Sequence, residues 1–240
     1  YRMILRQSSE FLKETLNEQQ RKHMKRSRPK IMLATNLDDA MNMYDKYKSN
    51  LLGVISDVGF CVHRGDDIED EKLDAGLELV RYIKADDPMM PVLLQSSQES
   101  ISGVAEELGV GFLRKWSKTL MLQLAQYIRE EFGFGDFVFR DAARNEYGRA
   151  ANLRDMEMLM KTIPDDVLIY NTSKNMLSKW MFSRGLFTLG AKFKSVEHSA
   201  FADTDDLRKY VSQQIHDFHA LNGRGVIAHF DAESYERYIW

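Results

Sequence analysis

Cysteine is almost missing from this chain, with one residue, Cys61, in 240. A lone thiol excludes an internal disulfide and points to a reducing, cytoplasmic setting. Long apolar runs are missing too. None approaches the roughly 18–20 residues that a membrane-spanning helix needs, and no signal-peptide pattern opens the chain. Neither sign of charge dominates: 33 Lys and Arg stand against 36 Asp and Glu, for a net charge of −3. That balance argues against nucleic acid or a membrane surface as the main partner. No glycine-rich loop sits between a strand and a helix, and no nucleophile–base pair is visible, which leaves an autonomous enzyme with little support. The Gly-x-Gly at Gly133 to Gly135 precedes an alternating stretch and reads as an interdomain hinge rather than a phosphate cradle.

What is present is alternation. Residues 1–28 contain neither glycine nor proline, carry apolar residues at loosely helical spacing, and end in the basic run "RKHMKRSRPK". Cations suit the negative end of a helix dipole, and Pro29 stops the helix, so the run reads as a helix terminus before it reads as a nucleic-acid contact. "KIMLAT" then predicts a strand, "LDDAMNMYDKYKS" a helix and "LLGVIS" a second strand. A long polar loop leads to the helix "AGLELVRYIKA", and Pro88 and Pro91 bracket the following turn. "PVLLQSS" and "VGFLRK" predict two more strands, each followed by a helix. Strands alternating with helices mean βαβ units and a parallel sheet. Beyond "GFGDFVFRD" and "ARNEYGRA", which predict a strand and a possible partner, the pattern is helical as far as the short late strand "GVIAHF". Asp165-Asp166 and Asp203-Thr204-Asp205 supply caps and negative charge for helix starts. The division expected is an α/β domain over residues 1–132 and a mostly helical domain with a short β element over 133–240.

One detail carries the functional question. The run "LLGVISDVGF" ends its strand on an acid, Asp57. Either the strand surfaces there and the carboxylate is solvated, or Asp57 marks the carboxyl edge of a parallel sheet, where open α/β folds place ligands. The next strands end in Ser96-Ser97 and Lys115. An acid, a hydroxyl and an amine at three successive strand ends suit a phosphoryl site, the carboxylate accepting the group while the others hold its oxygens, usually with Mg²⁺.

In these residues the sequence resembles a two-component receiver domain, a flavodoxin-like fold. The resemblance implies Asp57 as phospho-acceptor, Ser96 as hydroxyl switch, Phe112 as switch aromatic and Lys115 as the phosphate-binding amine. It implies the Gly59 carbonyl beside Asp57 as a ligand to Mg²⁺, and a histidine kinase as partner. The chain departs from the receiver pattern in three places. The loop after Asp57 is enlarged and acidic, Trp116 stands where proline usually follows the lysine, and "KIMLATNLDDAMNMY" matches a receiver's second strand, so the acidic first strand would lie upstream of Tyr1. "RPKIMLAT", "NLLGVISDV", "PVLLQSS", "EEFGFGDFVFRD" and "NMLSKWMFSRGLFTL" together are similar to the non-catalytic N-terminal part of phosphoenolpyruvate synthase or pyruvate phosphate dikinase-like proteins with a PEP/pyruvate-binding domain. That resemblance implies a regulatory or adaptor piece, not catalytic by itself, ahead of an ATP-binding domain of the same polypeptide. ATP would bind only in that downstream domain, and a homo-oligomer is possible.

Further expectations concern individual residues and the edge of the sheet. Asp57 is not stably phosphorylated here, because Asp57 and one carbonyl make a poor Mg²⁺ cage. Ile31–Ala34 pairs directly with Val54–Ser56, closing the slot that a missing first strand would leave, and helix 1–28 packs on that sheet or on a second copy. His216 and His219, with His229 nearby, are helix-surface residues rather than metal ligands. The Asn171 sequon has no meaning in a cytosolic chain, and the Met and Trp positions of "MLSKWMFSRGLF" read as core or interface packing.

Overall fold

The computed structural model describes residues 30–194, 196 and 198–223. The predicted helix at 1–28, the strand "GVIAHF" and His229 lie outside them. Three strands form a parallel sheet in the order β1 (Val54–Asp57), β2 (Val92–Ser96), β3 (Gly111–Arg114). The register runs Val54 to Val92 and Asp57 to Gln95 on one side of β2, and Leu93 to Gly111 and Ser96 to Arg114 on the other. Alternation along β2 feeds two cores. Val92 and Leu94 pack with α1 (Leu37–Tyr47), α2 (Ala75–Asp86) and α3 (Ile101–Glu107), through Leu37, Tyr44, Val80, Ile83 and Ala105. Leu93 turns to the other face, where α4 (Leu120–Glu130) contributes Leu124 and Ile128, and Phe132 and Phe134 follow it into that core. Because β2 is the central strand, all five of its residues are buried.

The sequence marks these helix starts. Asn36 caps α1, its side-chain oxygen accepting from the Asp39 amide at 2.8 Å while its amide donates to the Asp39 carboxylate at 2.8 Å. Asp38 and Asp39 put negative charge on the first turn, where the dipole favours it.

The strand expected at "KIMLAT" does not form. Residues 30–34 carry no regular structure, Ile31, Met32 and Leu33 are exposed, and no backbone hydrogen bond joins 31–34 to 54–56. Within the described residues the outer edge of β1 is unpaired, so the sheet has three strands and not four. The physical reason is that a strand exists only through its partner. Apolar, β-compatible composition supplies the side chains for a strand and cannot supply the neighbour.

After α4 the chain forms an antiparallel hairpin, β4 (Phe137–Arg140) with β5 (Glu146–Ala150), Phe137 facing Ala150. Five helices complete this unit: α5 (Leu153–Leu159), α6 (Asp165–Ser173), α7 (Met176–Ser183), α8 (Phe187–Phe193) and α9 (Thr204–Gly223). The helical stretch from Asp165 to Phe193 divides into three helices. Asn175 (φ 54°) and Gly185 (φ 73°) adopt the left-handed conformation that breaks them. Phe139, Met156, Val167, Trp180, Met181, Leu189 and Ile215 form its core, as expected for the Met and Trp positions. Asn171 is fully buried, its amide donating to the carbonyls of Arg140 and Val167, so the acceptor side chain of the sequon is closed to solvent.

The second unit docks on the amino edge of the parallel sheet. Lys194 donates to the Ser49 carbonyl (3.1 Å), just before β1, and Lys179 donates to the Met89 carbonyl, just before β2. The carboxyl edge, where Asp57 and Lys115 lie, is at the opposite end of the strands.

Candidate functional site

Parallel pairing brings the ends of β1, β2 and β3 to one edge, and with them the residues singled out above. Asp57 and Lys115 meet there: the ammonium lies 3.0 Å from the carboxylate, with 37% and 49% of the Lys115 and Asp57 side chains exposed. The pair spans β2, tying the two outer strands together at their ends. At this exposure it adds little to stability. Its consequence is local, since it holds a cation against the carboxylate that would accept a group.

Ser96 joins the site through its backbone, its carbonyl accepting from the Lys115 amide at 2.8 Å. Its buried hydroxyl oxygen accepts from the Gln98 amide at 3.1 Å and so shapes the turn after β2. Phe112 is half-buried against the α1–α3 core. Gly59 follows β1 beneath the side chain of Glu71, whose carboxylate oxygen lies 2.6 Å from where a Cβ on Gly59 would stand. Of the five residues, then, the structure places two in direct contact, one beside them, one against the core and one under the acidic loop.

That loop, residues 58–74, is anchored at its root and along its side. The Gly76 amide donates to the Val58 carbonyl (2.7 Å), and Phe60 and Lys72 exchange backbone hydrogen bonds at 3.2 Å. Gly76 is required by this approach: a Cβ would sit 2.1 Å from the Asp57 carbonyl oxygen. The first turn of α1 donates to the carbonyls of Cys61 and Val62. His63 lies 2.7 Å from the Asp38 carboxylate, whose hydrogen bond and charge raise the imidazole pKa above its ordinary value. Among the described residues, no group of three or more His, Cys, Asp or Glu could hold a metal ion. His216 is largely exposed and 3.7 Å from Glu157, and the buried Nε2 of His219 has no hydrogen-bond partner.

Two features of the edge and junction were not anticipated. Trp116, directly after Lys115, has φ 67° and is 89% exposed, an uncommon conformation for a bulky aromatic residue. Arg184, which follows α7, is buried against the start of the second unit. Its Nη2 donates to the Gly135 carbonyl at 2.7 Å and its Nη1 to the Gly133 carbonyl at 2.8 Å, while its plane lies 3.8 Å from the Trp180 ring centroid. The glycine pair read as a hinge is thus gripped by a guanidinium. The available signal was the spacing of Trp180 and Arg184, which puts them on one helix face.

Comparison with protein-family models, with curated proteins and with solved structures finds no match to this chain.

Proposed function

We propose that this chain is a regulatory and adaptor module, receiver-like in its α/β unit and non-catalytic by itself, serving a phosphoenolpyruvate synthase-like phosphotransferase that binds PEP or pyruvate. The observation that carries the reading is the contact of Asp57 with Lys115 at 3.0 Å on the carboxyl edge of the parallel sheet. Supporting it, the helical unit is docked on the opposite edge, through Lys179 and Lys194. A charge change at Asp57 is therefore made at one end of strands whose other end contacts the second unit. The partner in this reading is an ATP-binding domain of the same polypeptide. Isothermal titration of the chain with ATP, and separately with pyruvate, in the presence of Mg²⁺ tests it. No saturable heat is expected; saturable ATP binding in the micromolar range would overturn the reading.

A second reading, a working phospho-acceptor that signals through Asp57 with a histidine kinase as donor, has one observation in its favour. Half of the Asp57 side chain is open to solvent and so reachable. Phosphoryl transfer needs the developing charge neutralised, which in such sites is work for Mg²⁺. The residues do not fit that ion well. Asp57 and the Gly59 carbonyl offer one carboxylate and one carbonyl to a cation that demands near-octahedral oxygen ligation. Asp57 is instead matched to Lys115.

A further inference from the structure

Two segments flank the Asp57–Lys115 contact on the carboxyl edge, and they carry opposite charge. In the acidic loop, His63 is tied to Asp38, Arg64 to Asp39 and Lys72 to Glu78. Asp67, Glu69, Asp70 and Glu71 are all exposed, and none has an ion-pair partner among the described residues. In the other segment, Arg114 to Leu122, Lys118 likewise has none, and Arg114 meets Glu99 in a largely exposed pair at 3.3 Å. Each segment also presents a large apolar side chain to solvent: Leu73 at 76% in the first, Trp116 at 89% and Leu122 at 73% in the second. Trp116 is held outward by a left-handed backbone, so its exposure is built into the turn.

We propose that a second copy of this chain docks head to head on this edge. The basic Trp116 segment of each copy lies on the acidic Leu73 loop of the other, over the Asp57–Lys115 contacts. A two-fold interface must be self-complementary, each patch meeting the one it lacks, and a surface carrying both halves side by side meets that condition. An aromatic anchor flanked by cations, set against acids and a leucine, has the composition of an interface centre and rim. The two segments together match the roughly 20–30 residues per side of a standard interface. Among the described residues, the helical unit meets the other end of the sheet through Lys179 and Lys194 and leaves this edge uncovered.

Sedimentation velocity on the whole chain tests this. The wild type is expected to dimerise at low ionic strength and to dissociate as salt screens the charges. Trp116→Ala, Lys118→Glu, and the double variant Glu69→Lys/Glu71→Lys should each sediment as monomers at the same concentration, with unchanged circular dichroism because all four side chains are exposed. The charge variants then make a stricter test. Alone, each brings like charges together; mixed, Lys118→Glu and Glu69→Lys/Glu71→Lys restore opposite charges at both contacts, and the heterodimer should form. A wild type that stays monomeric at low salt would overturn the proposal. So would a dimer that Trp116→Ala leaves intact, or a mixture of the charge variants that remains monomeric.

Discussion

Replacing Arg184 tests whether its grip on the glycine junction holds the two units together. Its guanidinium donates to the carbonyls of Gly133 and Gly135, to the Trp180 carbonyl at 3.2 Å and to the Ser183 hydroxyl at 3.2 Å, and it stacks on Trp180. Taken singly, charged hydrogen bonds are worth about 1.5–3 kcal/mol each, and a desolvated cation–π contact about 2. Their sum overstates the loss for two reasons. The Gly133 carbonyl also accepts from the Ser183 hydroxyl, and the Gly135 carbonyl from the Trp180 indole, so neither is orphaned. The charge is also costly to bury: burial draws the guanidinium's pKa down to about 9, and its Nε has no hydrogen-bond partner. Arg184→Ala should therefore cost about 2–4 kcal/mol, the cavity included, and Arg184→Met, which keeps the stem and sheds the charge, about 1–2 kcal/mol. Arg184→Lys keeps the charge but cannot fork to both carbonyls, and should resemble the alanine variant more than the wild type. Urea unfolding followed by both tryptophan fluorescence and circular dichroism measures these differences. An Arg184→Ala cost below about 0.5 kcal/mol would refute the reasoning.

Two smaller perturbations test other parts of the structure. Arg144 stands in the β4–β5 turn at φ 68°, where glycine is at home; Arg144→Gly should raise stability by about 0.5–1 kcal/mol, the strain relieved exceeding glycine's added unfolded-state entropy, and a thermal melt checks it. Burial and the neighbouring Lys84 hold the Lys179 pKa down to about 8, so above pH 8 the unfolded chain binds the extra proton; the wild type should gain stability relative to Lys179→Met between pH 8 and 10.5, and parallel urea midpoints across that range would show no difference if the ammonium were not desolvated.

The three parallel strands were legible because each is an apolar run closing on a polar residue, at Asp57, Ser96 and Lys115, and parallel pairing makes those closures neighbours. Asp57 and Lys115 could be placed together for that reason alone. Ile31–Ala34 carried the same local signal and formed no strand, because pairing is a property of the neighbour and not of the segment. The breaks at Asn175 and Gly185 were obscured by helix-compatible apolar residues on both sides, where a single left-handed residue decides the outcome. Arg184 was hidden by its chemistry: a charge inside "FSRGLF" reads as a surface residue unless a tryptophan one turn earlier and two glycine carbonyls are known to face it. Ser96 and Phe112 were placed correctly on their strands, yet side-chain direction, which sequence position alone does not fix, gave one a turn and the other the core.

In the proposed function Asp57, matched to Lys115, belongs to a module that does not itself carry phosphate. Incubating the chain with acetyl phosphate and Mg²⁺, then measuring its intact mass, tests this most directly. No stoichiometric phosphate adduct is expected in the wild type, whose mass shift should be indistinguishable from that of Asp57→Ala after the same incubation. A near-stoichiometric adduct on the wild type that vanishes in Asp57→Ala would contradict it and establish Asp57 as a working phospho-acceptor.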